Sequence, residues 1–186
     1  MRLIKIIIFL LTCFNTSLIA NSDEDLRNIL SGDGKLIFIR HAYAPGSGDP
    51  NNFDILNCTS QRNLNNAGIE QAKNIGKFFL KNNIESNIVL SSEWCRCKQT
   101  AKHAFKKYET KIFLNSFYGK KFAHKKSNQI NELKNYIKKW DGKSNLIFVT
   151  HYVVILEILN LPVSSGEIVV VDKDFNIITR QKTFIN

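Results

Sequence analysis

Lys35-Leu36-Ile37-Phe38-Ile39-Arg40-His41 is the stretch whose reading decides the fold of this 186-residue chain. Four apolar residues in a row, entered through Gly32-Asp33-Gly34 and followed by a polar loop with Pro45, Gly46, Gly48 and Pro50, are too few for a helix. The turn residues on both sides mark a buried strand instead. Outward from it, Ile69, Ala72, Ile75, Phe78 and Phe79 recur at helical spacing between Ala67 and Lys81, with Asn65 or Asn66 as cap. A second strand is expected at Asn87-Ile88-Val89-Leu90, a helix over Glu93 to Lys107, and a third strand at Lys111-Ile112-Phe113-Leu114. Gln129 to Trp140 reads as a helix, Asn145 to Val149 as a fourth strand, and Val153 to Leu159 as another helix. Glu167 to Val171 and Asn176 to Thr179 close the chain as an antiparallel pair turned at Asp172-Lys173-Asp174. Strands alternating with helices predict an α/β fold, a mainly parallel sheet flanked by helices on both faces in three layers.

Composition fits that reading. The chain is 44% hydrophobic and 23% charged, with thirteen Phe, ample for one well-buried core and unlike a disordered or collagen-like sequence. Lys and Arg number 26 against 16 Asp and Glu, a formal charge of +10 that favours anionic partners without choosing among them. Met1 to Ala20 sets Arg2 and Lys5 before the apolar run Ile6 to Leu11 and ends in small and polar residues, the pattern of a cleaved export signal. The 15 residues from Ile6 to Ala20 fall short of a membrane span, which takes roughly 20. A lipid-modified Cys13 is disfavoured by the Thr12 before it. Residues 21–186 are then a single domain in the periplasm or outside the cell, with a charge of +8. In such a compartment Cys58, Cys95 and Cys97 allow one disulfide and one free thiol. Cys95 and Cys97, two positions apart, are poorly placed to bond each other, so Cys58 is expected to pair with one of them. Without a Cys-x-x-Cys pair the metal signal is weak, and neither a metal nor a cofactor is expected.

The chemistry gathers at strand ends, where ligands bind in open α/β sheets. Arg40-His41 follows the first strand, Ser91-Ser92-Glu93-Trp94-Cys95-Arg96 the second, and Thr150-His151 the fourth. Two arginines and two histidines converging on one crevice suit a phosphate dianion, because guanidinium donors match phosphate oxygens in pairs. The helix after His151 adds amide groups to the same anion.

Leu36-Ile37-Phe38-Ile39-Arg40-His41-Ala42, then Leu64 with Ala67-Gly68 and Gln71-Ala72, Leu90-Ser91-Ser92 through Arg96 to Thr100-Ala101, and Phe148-Val149-Thr150-His151 resemble the histidine phosphatase superfamily, also called phosphoglycerate mutase-like. Ala44 to Pro50, Ser60 to Leu64 and Trp94 to Cys97 resemble a branch of exported bacterial members. The resemblance implies a phosphatase acting through a phosphohistidine on His41, with Arg40 and Arg96 gripping the phosphoryl oxygens and His151 as second pocket histidine. Arg62, where some small members carry a loop arginine, is assigned to phosphate or substrate binding.

One feature departs from the pattern. Many members use a Glu between the second arginine and the second histidine to protonate the leaving oxygen, but Asn115 to Asn128 holds no carboxylate, and Tyr152 stands where other members have Asp. Asp49, Asp54 and His124 are candidate substitutes. Without an acid, substrates with good or easily protonated leaving groups are favoured, phosphoramidates among them. Nine lysines between Lys98 and Lys126 against the single acid Glu109 point to a small phosphorylated or polyanionic substrate. No motif for specific nucleic-acid recognition is visible. A non-catalytic anion-binding relative is the competing reading, separated from an enzyme by whether phosphate is released.

Overall fold

The computed structural model describes Asn28 and residues 32–183. The export signal expected over residues 1–20 lies outside the described residues. Strands β1 (Leu36–Arg40), β2 (Ile88–Ser91), β3 (Glu109–Thr110), β4 (Leu146–Thr150), β5 (Ile168–Val171) and β6 (Ile177–Gln181) form one sheet in the order β3-β2-β4-β1-β5-β6. Pairing is parallel from β3 across to β1, and antiparallel where β5 joins β1 and β6 joins β5. The helices are α1 (Asn66–Lys81), α2 (Cys95–Phe105), α3 (Lys126–Lys139) and α4 (Tyr152–Leu159). This is the expected sandwich of helices around a mainly parallel sheet.

Alternation along each strand divides the core in two. Leu36, Phe38, Leu146, Phe148, Val169 and Val171 face α3 and α4, where they meet Leu133, Ile137, Val154 and Ile155. Ile37, Ile39, Ile147, Val149, Ile168 and Val170 face α1 and α2 and meet Ile75, Phe79, Cys97 and Ala101. Because both faces are covered, β1 and β4 read as unbroken apolar runs in the sequence.

The third strand differs from expectation. Only Glu109 and Thr110 pair with β2, and Ile112–Leu114 is a 3₁₀ turn. The Lys111 N–H donates to the Ser91 carbonyl, after which the chain curls, with Leu114 N–H bonding Lys111 O and Asn115 N–H bonding Ile112 O. Phe113 and Leu114 are buried while Ile112 is exposed, so a short apolar run here serves a buried turn. Periodicity alone does not separate that from a strand.

Helix α1 opens with the Asn65 side chain accepting the Gly68 N–H at 2.9 Å. It lies so close to α2 that a Cβ on Gly76 would overlap the Ala104 carbonyl oxygen. In an exposed helix a Gly-to-Ala change stabilises by about 1 kcal/mol, but here the backbones must part. Gly76→Ala is expected to lower stability by roughly 1–3 kcal/mol in urea unfolding, and a gain would show that the helices are not packed this closely.

Candidate active site

Three parallel strands deliver their carboxyl ends to one edge of the sheet. Arg40 and Thr150 are paired in register, and the next residue on each chain is a histidine. The His41 N–H donates to Thr150 O at 2.9 Å and the Ser92 N–H to Val149 O at 2.9 Å, extending the ladder one step past the strands. The two histidine rings therefore stand 5.4 Å apart, edge to face, at the floor of a cleft of about 610 Å³.

Both rings are 3% exposed. His41 Nδ1 lies 2.8 Å from the carbonyl oxygen of Ala42, which only accepts, so Nδ1 carries the proton and Nε2 keeps the lone pair. His151 Nε2 lies 2.9 Å from Ser92 Oγ. Ser92 donates its own proton to Asn115 Oδ1 at 2.9 Å, and Asn115 Nδ2 donates to Glu93 Oε2 at 2.7 Å. The chain runs from His151 through Ser92 and Asn115 to a carboxylate, which places the His151 proton on Nε2. Burial first, and then the charge of Arg96 with smaller contributions from Arg40 and Arg62, hold both imidazoles well below the ordinary value of 6.5.

The arginines sit around this pair. Arg40 donates from Nη1 to Val163 O at 2.8 Å and lies 5.4 Å from the Tyr152 ring centroid. Arg96 is bound by Asp49 through both guanidinium ends, Nη1–Oδ1 at 2.7 Å and Nη2–Oδ2 at 3.2 Å. Arg62 is held by the loop it belongs to, donating from Nε to Gly48 O at 2.8 Å and from Nη1 to Ala44 O. The Nε–H groups of Arg40 and Arg96 are buried and have no hydrogen-bond partner among the described residues. Buried donors of this kind cost free energy unless something accepts from them. An oxyanion in the cleft has the chemistry to do so.

The structure gives each acid candidate its surroundings. Asp49 accepts from Arg96 twice, from Trp94 Nε1 at 3.1 Å and from the Arg62 N–H at 3.1 Å. Burial alone would raise its carboxyl, but these hydrogen bonds and the Arg96 charge outweigh that and keep it below the usual 3.8. A carboxylate so occupied fixes an arginine and holds no proton to give. Asp54 is exposed and accepts the Leu56 N–H at 2.9 Å, outside the residues lining the cleft. His124 is exposed in the turn Ala123–Lys125 and does not line the cleft either. Among the described residues Asp49 is the only carboxylate on the cleft wall. No group of three or more His, Cys, Asp or Glu among them could hold a metal ion, and no helix is long and apolar enough to cross a membrane.

Cys58 bonds Cys95, with Cα atoms 5.6 Å apart. The bond ties the loop that carries Asp49 and Arg62 to the first residue of α2, next to Arg96. Gln61 reinforces the junction, its Oε1 accepting the Cys95 N–H at 2.9 Å. Cys97 is free and buried, 3.5 Å from His151 Nε2, and burial pushes its thiol up to about 12, so it is an uncharged neighbour of the ring. Sequence reading missed the Ser92–Asn115–Glu93 chain. Ser92 lies inside a quoted motif, but Asn115 looked like an ordinary loop residue.

Two outcomes follow from this geometry. NMR titration of His41 and His151 is expected to give midpoints below 6.5. Because the unfolded imidazoles take up protons that the folded ones refuse, stability is expected to fall as pH drops below 6.5. Unchanged stability between pH 7 and 5 would contradict the burial of neutral rings. Replacing Cys58 and Cys95 by Ser, which opens a link across 37 residues of sequence, is expected to cost roughly 2–4 kcal/mol, read as a lowered Tm.

Comparison with known proteins agrees with the architecture. No curated protein matches the chain. Among solved structures, the protein histidine phosphatase SixA complexed with tungstate superposes with a TM-score of 0.57 at 14% identity, covering 80% of this chain and 97% of that one. A phosphoglycerate mutase from Thermus thermophilus gives 0.57 at 14% identity over 80% and 98% of the two chains. The alpha-ribazole phosphatase from Shigella flexneri gives 0.57 at 17% identity over 74% and 90%. At such identities the likeness establishes the fold. The sequence model of the histidine phosphatase superfamily (branch 1) matches residues 36–145, more than half of the chain, and the chain belongs to that superfamily.

Proposed function

We propose that this protein is an exported, metal-independent phosphatase that hydrolyses a phosphomonoester or phosphoramidate through a phosphohistidine on His41. The observation that carries the reading is the buried, uncharged His41, its Nδ1 proton tied to Ala42 O, together with two buried arginine Nε–H groups that have no acceptor among the described residues. Nε2 of His41 attacks phosphorus, and the bond from phosphorus to the leaving oxygen or nitrogen breaks with its electron pair. Arg40 and Arg96 donate to the phosphoryl oxygens as charge spreads over them, a stabilisation that is strong in a water-poor floor. Asp49 keeps Arg96 aimed, and Arg62 adds positive charge at the loop side. His151 takes up a proton when the dianion binds beside it and donates from Nδ1, since Nε2 is held by Ser92. Water then attacks phosphorus, the P–N bond breaks, and His41 returns neutral with inorganic phosphate released. The departing group takes its proton from solvent, because among the described residues the cleft offers no free carboxyl.

The Cys58–Cys95 bond supports export, since such bonds persist in oxidising compartments. The neighbour SixA, a protein histidine phosphatase solved with tungstate, supports an oxyanion-binding site in this fold. N-terminal sequencing of the secreted or periplasmic protein is the check on export: a start near residue 21 is expected.

Phosphate release from p-nitrophenyl phosphate is expected for the wild type and absent in His41→Ala. Replacing the aryl leaving group by an alkoxide is expected to lower kcat/KM by at least about 10²-fold, the contribution of a general acid. Equal inactivity of both proteins while inorganic phosphate still binds would favour the anion-binding relative, and a rate indifferent to the leaving group would reveal an acid.

A further inference from the structure

The cleft carries more positive charge than one phosphoryl group needs. On its floor three arginines face one aspartate, a surplus of two charges, which matches a phosphoryl dianion. Lys120 and Lys121 also line the cleft, at its exposed mouth, and among the described residues neither forms an ion pair. They are two of the nine lysines noted in the sequence. Lys111 and Lys126, by contrast, are paired with Glu109 and Glu157.

The wall between floor and mouth is aromatic. The Trp94 ring stands 5.4 Å from His151 and packs on Phe53 at 5.0 Å and on Phe122 at 5.4 Å, with Phe53 and Phe122 5.6 Å apart. Lys121 Nζ lies against this cluster, 5.8 Å from the Phe53 centroid and 5.6 Å from that of Phe122, close enough for the rings to hold the ammonium in place. A volume of about 610 Å³ is the size of a drug-like ligand's pocket, far beyond what phosphate alone occupies.

We propose that Lys120 and Lys121 form a second anion subsite. On the phosphatase reading, the substrate is then a phosphate ester that carries another anionic group, a carboxylate or phosphate, beyond a flat or apolar body lying along Trp94, Phe53 and Phe122. The aromatic wall sets the spacing between the two anions, and the lysines select for the second one.

Two non-hydrolysable probes test this without relying on turnover: 2-naphthylphosphonate and its 6-carboxy derivative, titrated by calorimetry into the wild type and into the double variant Lys120→Gln/Lys121→Gln at fixed salt. The carboxy compound is expected to bind the wild type roughly tenfold more tightly. In the double variant that advantage is lost, while inorganic phosphate and the plain phosphonate keep their affinity within about twofold, as distant screened charges imply. No advantage for the carboxylate in the wild type, an advantage that survives the double substitution, or no binding of either probe overturns the proposal. An equal weakening of all ligands, phosphate included, also overturns it, because the lysines then act as a general field. If the carboxylate advantage holds while p-nitrophenyl phosphate is not hydrolysed, the subsite stands and the phosphatase reading falls.

Discussion

Parallel pairing of β1 with β4, in the register that sets Arg40 opposite Thr150, is the constraint from which the site is built. One step beyond that pair the two strands lead into His41 and His151, and the ladder hydrogen bond from His41 N–H to Thr150 O fixes the spacing of the backbones from which the rings project. A shift of one residue in this register would turn the apolar side chains of β1 to the opposite core and part the histidines at once. The packing of both sheet faces therefore holds the geometry of the histidine pair as firmly as it holds the fold.

Charge is arranged around that pair in a consistent order. Both imidazoles are disfavoured as cations by burial first and then by the arginines beside them, so the positive charge of the floor resides in guanidinium groups. Asp49 offsets part of this charge and orients Arg96 at the same time. A buried ion pair of this sort adds little net stability, but losing one partner leaves the other stranded. The pair belongs to the site's geometry more than to the fold's stability. The loop that supplies Asp49 and Arg62 is long and irregular, and the Cys58–Cys95 bond limits its freedom where α2 begins.

The same loop and the segment around Lys120 meet in one wall of the cleft, where Phe53 of the first and Phe122 of the second are in edge-to-face contact. On the proposed reading, specificity lies in irregular chain above the sheet edge that carries the two histidines. This division is common where one scaffold serves many substrates, because loops vary without disturbing the sheet.

Much of this was legible in residue order. The unbroken apolar runs of β1 and β4 require a sheet covered on both sides, and the polar residues that follow β1, β2 and β4 stand at the edge where ligands bind in open α/β sheets. His41, His151, Arg40 and Arg96 could be picked out for that reason. The extent of β3 was not legible, because Ile112-Phe113-Leu114 suits a strand and a buried turn equally well. Nor were the partners of the candidate residues. Asp49 lies 47 positions from Arg96, and Asn115 lies 36 from His151, which it reaches only through Ser92. Local sequence determined which elements form and which chemical groups stand at their ends, since propensity and burial pattern act over a few residues. Only the tertiary structure decided which carboxylate is spent on an arginine, which cysteine Cys58 meets, and which two of nine lysines reach the cleft, since those depend on distances between segments far apart in the chain.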